Sequence, residues 1–394
     1  MTPGPLAGLT VVALEQAVAA PFATRQLADL GARVIKIERP GDGDFARHYD
    51  SSVRGLSSYF VWLNRGKESM ALDLGRPAAR EILARLLDRA DVFVQNVGPG
   101  AAVRLGTDAP TLRAHRPRLI VCDVTGYGSS GPYAGRKAYD LLVQHETGLV
   151  SITGTPDAPS KAGISVADIA AGMHAHAGIL AALVRRGQTG AGAALEVSLF
   201  DALAEWMSAQ AYLTAGRGRP PARSGAHHAS IAPYGPFRTR DGHVCLGIQH
   251  AREWTRFTTD VLGQPALAVD PRFATNERRV EHRDDLHAII DAAFALRATA
   301  DVLAALDDAG IAAARLNDVP AFLAHPQLAD RRRWRDIDTP AGPVAALLPP
   351  LQMDDVDPVM GAIPSLGQHT DAILIELGYT GDAIGAWRTD GVLQ

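Results

Sequence analysis

Two apolar strands joined by one helix, all within residues 9–38, restrict the fold more than any other feature of this chain. Residues 9–14 (LTVVAL) read as a buried strand. Residues 21–30 read as a helix, with Pro21 in its first turn and Gly31 as its stop. Residues 33–38 (RVIKIE) read as a second strand. A unit of about 30 residues has the length of a crossover between parallel strands, which no tight turn can join. The alternation then continues. A strand is expected at residues 69–74, an amphipathic helix at 77–90 with Ile82, Leu83, Leu86 and Leu87 on one face, and further strands at 91–96, 119–124 and 195–199.

Strands alternating with helices imply an α/β protein with a Rossmann-like, doubly wound parallel sheet. The loop after the first strand lacks the G-x-G-x-x-G pattern, so no dinucleotide fingerprint is present. In such sheets ligands sit beyond the carboxyl ends of the strands. At 394 residues the chain is too long for one ordinary core, and two domains are expected. Residues 1–213 form the large domain, completed by 340–394; 214–229, rich in Gly, Arg, Pro and Ala at its start, is the linker. Residues 230–325 form a smaller α/β domain, with a strand at 244–248 and helices at 253–262, 284–296 and 299–309. Residues 326–394 are a return segment, extended and proline-rich over 339–364, ending in a last helix at 370–377 that docks on the large domain. Arg331-Arg332-Arg333 reads as a solvated helix face.

The net charge of −4 does not favour nucleic acid or an anionic membrane as main partner. Cys122 and Cys245 lie in separate apolar runs, which suits reduced thiols. No leader pattern opens the chain, and polar residues interrupt every apolar run before spanning length. A cytoplasmic location is expected. Residues 169–184 are almost wholly small or aliphatic over four or more turns and read as a buried helix. Asp168 stands at its start. Ser165-x-x-Asp168 fits a loose capping box, so a cap is one reading; a carboxylate kept for chemistry is the other. Five cations, Arg39, Arg65, Lys67, Arg104 and Lys137, fall on loops assigned to one sheet end. Together they suit a ligand with several phosphates; singly, each is an ordinary surface charge. His174 and His176 are two apart and face different ways on a helix, so no metal site is expected. His227-His228 reads as a solvated pair. No G-x-S-x-G elbow occurs, and neither cysteine has a charged setting.

With these residues assembled, the chain resembles the class III CoA-transferases, the family of formyl-CoA:oxalate and carnitine CoA-transferases. The resemblance is carried in order by residues 11–21, residues 30–41 (LGARVIKIERPG), Asn64-Arg65-Gly66-Lys67 and Leu72-Asp73-Leu74. It continues through Gln95-Asn96-Val97-Gly98-Pro99-Gly100, Gly126-Tyr127-Gly128 and Thr189-Gly190-Ala191-Gly192. It implies that Asp168, in Gly163-x-x-x-x-Asp168-x-x-x-Gly172, is the nucleophile. The carboxylate would attack a thioester to give an aspartyl anhydride and then an aspartyl-CoA thioester, with helix N–H groups binding each oxyanion. By the same resemblance Arg39, Leu72, Asn96, Arg104, Lys137 and Tyr139 line the CoA site, and the chain forms an interlocked-ring homodimer. No tightly bound cofactor and no metal is implied; coenzyme A enters as the acyl-CoA substrate, beside a small carboxylic acid.

Some positions depart from the family. A glutamine that orients the acyl group in formyl-CoA transferases is Val18 here, and Pro233-Tyr234-Gly235-Pro236-Phe237 stands where a glycine loop shields the intermediate. The His-Asp pair of related racemases is Tyr139-Asp140. Residues 163–169, 203–207 and 231–237 are similar to members acting on branched C5 dicarboxylates, such as mesaconyl-CoA C1–C4 transferases and itaconate or citramalate CoA-transferases. The expectation is CoA transfer from succinyl-CoA or another dicarboxylyl-CoA to such an acid, with intramolecular transfer on mesaconyl-CoA as a variant. Arg39, Arg47 and Arg54 are candidates for the distal carboxylate. The alternatives are a 2-methylacyl-CoA racemase, a formyl-CoA:oxalate-type transferase and a non-catalytic acyl-CoA-binding protein.

Overall fold

The computed structural model describes residues 3–394. The chain divides into two compact units. The first comprises Met1–Thr147, Gly163–Ser208 and Ala329–Gln394; the second comprises Gly148–Ala162 and Ala209–Leu328.

The first unit is built on a six-stranded sheet in the order β3-β2-β1-β4-β5-β6. The strands are β1 (Thr10–Leu14), β2 (Arg33–Glu38), β3 (Lys67–Ala71), β4 (Val92–Gln95), β5 (Ile120–Thr125) and β6 (Ala194–Ser198). Every pairing is parallel, for example Val11 opposite Val34 and Val12 opposite Phe93. The central strands are apolar at nearly every position because helices cover both faces. In chain order the helices are α1 (Ala19–Asp29), α2 (Ser58–Asn64), α3 (Pro77–Leu87), α4 (Ala101–Leu105), α5 (Ala109–His115) and α6 (Asp140–Glu146). Then come the single turn α7 (Leu149–Ile152), which belongs to the second unit, and α8 (Val166–Thr189).

One face of the sheet presents Val12, Ile35, Phe93 and Val121 to α3 and α5, through Ile82, Leu83, Leu86 and Leu112. Ile373 and Leu374 of helix Thr370–Glu376 enter the same core. That helix is not the last: Gly381–Thr389 follows and adds Ile384. The other face carries α1 and α8, which pack on each other. A side chain at Gly172 would bring Cβ to 2.7 Å from the Ala19 carbonyl oxygen and 2.9 Å from the Phe22 ring, so the close approach of α8 to α1 requires glycine there.

Helix α8 is apolar and long enough to cross a membrane by composition, but it packs against α1, β5 and β6. Its burial is one-sided, not general as its sequence suggests. Ala167, Ala170, Ala171, Gly172, Ala175, Ile179 and Ala182 form the buried stripe, while Met173 and Val184 are 43% and 65% exposed. Small residues at helical spacing let the backbones approach, and the bulkier side chains point outward.

The return segment also differs from expectation. It contains a hairpin of β10 (Trp334–Ile337) and β11 (Val344–Leu347), of which only β11 lies in the stretch expected to be extended. Arg331 to Arg333 form a turn before β10, not a helix face. Arg333 is buried and donates to the Leu348 and Pro349 carbonyl oxygens, because the hairpin's exit strand lies against it.

The smaller unit has an antiparallel sheet, β7 (Tyr234–Thr239), β8 (Gly242–Gly247) and β9 (Ala313–Arg315), in that order. Its core gathers Phe237, Val244, Leu246, Trp254, Phe257, Leu286 and Phe294. The two-residue turn Arg240-Asp241 makes β7 and β8 a hairpin, which rules out the parallel α/β pattern for this unit. Helix Ser208–Arg217 runs into the stretch expected as a linker, so only the residues after it are irregular.

Candidate functional site

The strand order reverses at β1, the point of such a sheet at which ligands sit beyond the carboxyl ends of the strands. The structure brings the six expected ligand residues to this edge of the sheet. Arg39 follows β2, Leu72 follows β3, Asn96 and then Arg104 of α4 follow β4, and Lys137 and Tyr139 follow β5. Arg39, Arg104 and Lys137 are exposed and enter no ion pair among the described residues. Tyr139 is 63% exposed. Asn96 is engaged: its Nδ2 donates to the Gln16 carbonyl at 2.8 Å, and its Oδ1 accepts from the Gln16 amide at 2.9 Å. This pair ties the end of β1 to the end of β4. The Leu72 side chain lies in the hydrophobic core, which leaves only its main chain to meet a ligand.

Two of the five cations grouped with them belong elsewhere. Lys67 opens β3 and so starts from the amino edge; its buried Nζ donates to Glu15 Oε1 at 2.6 Å and to the Pro21 carbonyl at 3.1 Å. Burial lowers this lysine to about 8, against the pull of Glu15. Arg65 is buried in a two-pronged pair with Asp29 and donates to the Leu347 carbonyl. Gly66 between them has φ +73 and donates to the Ala362 carbonyl. The Asn64-Arg65-Gly66-Lys67 motif therefore splices the return segment onto the sheet. Arg47, a candidate for the distal carboxylate, is likewise engaged by Glu38 through two bonds of 2.8 Å and lies over the Phe60 ring.

Asp168 reaches the same edge for a topological reason. Helix α8 leads into β6, which is parallel to the rest, so α8 must begin where the strands end. Ser165 makes no capping bond. The cap comes from Asp140 at the start of α6, whose Oδ1 accepts from the Ala167 amide at 2.7 Å and the Asp168 amide at 3.3 Å. The capping-box reading of Ser165 and Asp168 is thereby corrected. No hydrogen bond among the described residues reaches the Asp168 carboxylate, which is partly exposed. Burial raises its pKa, and Asp140 adds like charge, to about 7.

An aromatic row lies beside it. Tyr49 feels the charges of Asp44 and Asp168 and lies near Tyr139; burial first, then these groups, push its phenol up to about 12. Ring centroids run Phe45–Tyr49 5.7 Å, Tyr49–Tyr59 5.4 Å, Tyr59–Trp62 6.1 Å and Trp62–Phe22 5.5 Å. Phe22 is the ring that Gly172 lets close. Beneath the row, Asp44 accepts from Lys36 Nζ at 2.8 Å, from the Ala17 amide at 3.0 Å and from the Ala46 amide at 2.9 Å. Ala17 has φ +63, a strained conformation for a residue with a side chain. Asp44 thus fastens the loop after β1 to the turn that carries Phe45 and Tyr49. The sequence reading passed over Tyr49, Asp44 and the capping role of Asp140. Phe45 and Tyr49 stand four apart, the one local sign that they share a face.

A raised carboxylate pKa is a stability statement. Between 3.8 and about 7 the folded state holds a proton that the unfolded chain has lost, so stability falls as pH rises through that window. Asp168→Asn is expected to raise Tm at pH 8 by roughly 3 °C and to lose that advantage by pH 4. Thermal melts at the two pH values check this; an unchanged or lower Tm at pH 8 would contradict the raised pKa.

The family model described as CoA-transferase family III matches residues 6–370. The chain belongs to CoA-transferase family III. This transferase is 35% identical over 384 residues to a succinate–glutarate CoA-transferase of Agrobacterium fabrum, covering 95% of this chain and 96% of that protein. It is 38% identical over 332 residues to an acetyl-CoA:oxalate CoA-transferase of Acetobacter aceti (83% and 85%). It is 32% identical over 407 residues to a succinyl-CoA–D-citramalate CoA-transferase of Chloroflexus aurantiacus (99% and 98%). Among solved structures it is similar to a CAIB/BAIF family protein from Brucella suis, at 36% identity and TM-score 0.83, covering 95% of this chain and 100% of that one.

CoA thioesters are therefore substrates of this transferase. Val18, at the position of the orienting glutamine, is buried before α1 and offers no polar group. Tyr234 to Phe237, at the position of the shielding loop, lie in strand β7. In the smaller unit His227 is not solvated as expected: its ring lies 4.3 Å from that of His287 and 5.4 Å from Phe237. Among the described residues no three His, Cys, Asp or Glu gather as metal ligands.

Proposed function

We propose that the transferase moves CoA from succinyl-CoA, or another dicarboxylyl-CoA, to a branched C5 dicarboxylate such as itaconate, mesaconate or citramalate, with Asp168 as nucleophile. The observation that carries this reading is the Asp168 carboxylate itself. It has no hydrogen-bond partner, is partly open and stands at the edge that carries three unpaired cations. A carboxylate without donors keeps its lone pairs for attack on a thioester carbonyl. Arg39, Arg104 and Lys137 would meet the phosphates of CoA, and Tyr139 and the Leu72 main chain its organic part. Asn96 would act by holding Gln16 and the loop after β1.

Attack by Asp168 expels CoA thiolate and leaves an acyl-aspartyl anhydride. The thiolate then attacks the aspartyl carbonyl and releases the donor acid. The acceptor carboxylate attacks the resulting aspartyl-CoA thioester, and returning thiolate yields the new acyl-CoA. The amides at the start of α8 are not the oxyanion donors first expected of them, because Asp140 occupies them. The Tyr49 phenol, protonated at neutral pH, is the donor this reading assigns instead. The dicarboxylate assignment is supported by the relatives whose names specify glutarate and D-citramalate. With Arg47 engaged by Glu38 and Arg39 assigned to the phosphates, Arg54 is left for the distal carboxylate. The reading includes a cytoplasmic, interlocked homodimer; exposed Met173 and Val184 on α8 suit a surface covered by a second copy.

A second reading, oxalate as acceptor, is favoured by the 38% identical relative named for oxalate. The test incubates succinyl-CoA with itaconate, mesaconate, citramalate, oxalate and carnitine separately and reads CoA esters by mass. The expected products are the C5 dicarboxylyl-CoA esters. Oxalyl-CoA alone would move the assignment to the second reading. Deuterium uptake at an α-carbon without CoA exchange would replace transfer by racemisation.

A further inference from the structure

A cleft of about 60 Å³ lies between the second half of α1, the face of α8 two turns beyond Asp168, and the return segment at 349–358. Helix α1 runs away from the carboxyl edge, so the cleft sits toward the opposite edge of the sheet from the ligand residues described above. Its walls are mainly apolar: Leu30, Pro349, Pro350, Leu351, Met353 and Val356. Its polar end is cationic. Arg25 is 6% exposed, its Nη1 donates to Asp29 Oδ2 at 3.0 Å, and its Nε has no partner. His176 also lines the cleft, and its buried Nε2 has no partner either.

Asp29 does not balance this charge. Both of its oxygens are already held by Arg65 at 2.8 Å, so two guanidinium groups share one carboxylate. Burial first, and Arg65 with it, outweigh the support of Asp29 and lower Arg25 to about 10. Burial first, then Arg25, keep the His176 imidazole below its usual value against the pull of Asp29. Asp354 and Asp355, on the same loop as Met353, are exposed and point their charge to water.

A buried, unpartnered guanidinium N–H, an unpartnered imidazole nitrogen, an excess positive charge and apolar walls describe a receptor for one anionic group on an aliphatic body. We propose that this cleft is a second ligand site, separate from the transfer site, that binds a short-chain aliphatic monocarboxylate. The carboxylate accepts from Arg25 Nε and His176 Nε2, and the chain lies along Leu30, Met353 and Val356. A planar carboxylate suits the guanidinium edge, whereas an ammonium is repelled and an alcohol leaves the charge unanswered.

The test titrates hexanoate into the full-length protein by calorimetry, with CoA present at saturation. Hexan-1-ol and hexylamine are the controls. The cleft is filled by Met353→Trp, which leaves the Arg25–Asp29–Arg65 cluster intact, and its charge is removed by Arg25→Gln. Hexanoate is expected to bind once per chain, at least about tenfold more tightly than hexan-1-ol. Met353→Trp is expected to weaken hexanoate at least tenfold while CoA transfer is unchanged, and Arg25→Gln to abolish the preference for hexanoate over the alcohol. Equal binding of acid and alcohol, unchanged hexanoate binding in Met353→Trp, or no hexanoate binding to the intact protein would each overturn the proposal.

Discussion

Asp168→Ala is expected to lower kcat for CoA transfer by about four orders of magnitude or more, while acyl-CoA still binds. Both intermediates, the anhydride and the thioester, are acyl derivatives of this one carboxylate in the proposed chemistry, so no neighbouring group can take over either half of the reaction. Asp140 is the nearest carboxylate by its hydrogen bonds to the Ala167 and Asp168 amides, but those bonds aim it at the helix end. The cations proposed for CoA lie on other loops and are untouched, which separates loss of chemistry from loss of binding. The pH profile gives an independent handle. The nucleophile is the ionised form, and burial with Asp140 places its pKa at about 7. Below pH 7, kcat/KM is expected to fall by about tenfold per pH unit. Asp140→Asn keeps an oxygen for the helix cap but removes the like charge, so the acidic limb should move to lower pH. Steady-state assays across pH 5–9 read both effects. An Asp168→Ala protein that retains more than about a tenth of wild-type kcat would remove Asp168 from the nucleophile's role.

Lys36→Met is expected to destabilise the protein by about 3–5 kcal/mol, with a fall in Tm on the order of 10 °C. Lys36 is fully buried on β2, with Nζ 2.8 Å from Asp44 and 3.5 Å from Glu15. Burial works against its charge, but Asp44, Glu15 and Glu38 outweigh burial and hold the ammonium above the ordinary lysine value. Methionine fills much of the same volume, so the loss is electrostatic. Asp44 would keep only its two amide bonds, and Glu15 would rely on Lys67 and Thr24. The change should also be felt at the site, because Asp44 holds Ala17 in its left-handed conformation and anchors the turn bearing Tyr49. Chemical denaturation and circular dichroism measure the stability, and kcat measured well below the new Tm reads the site. A Tm within about 2 °C of wild type would show that the cluster is not a structural keystone.

The sheet was legible because parallel strands buried on both faces leave unbroken apolar runs, as in residues 11–14 and 119–122. Arg39, Asn96, Arg104, Lys137 and Tyr139 could be placed at one edge because each follows a strand in chain order. The same logic failed for Arg65 and Lys67. They stand at the start of β3, and a long side chain can be drawn under a helix by a buried partner that no local spacing reveals. Asp140 caps a helix 26 residues further along the chain, measured to the first helical residue Val166, and only the fold brings the two together. The β10–β11 hairpin was hidden by the surrounding prolines, which mask a four-residue strand on each side. The sequence of helix α8 is apolar on most sides and reads as a buried helix because small residues count as apolar in any pattern. In the fold they mark the contact stripe, and Met173 and Val184 face away from it.

The central claim is that CoA becomes covalently attached to Asp168. The protein would be mixed with succinyl-CoA alone, quenched in acid within milliseconds to seconds, digested and mapped by mass spectrometry. The expected result is the mass of CoA, as a thioester, on the peptide carrying Asp168, lost on addition of an acceptor acid and absent from Asp168→Asn. Turnover with that peptide unmodified, or with the adduct on another carboxylate, would contradict it.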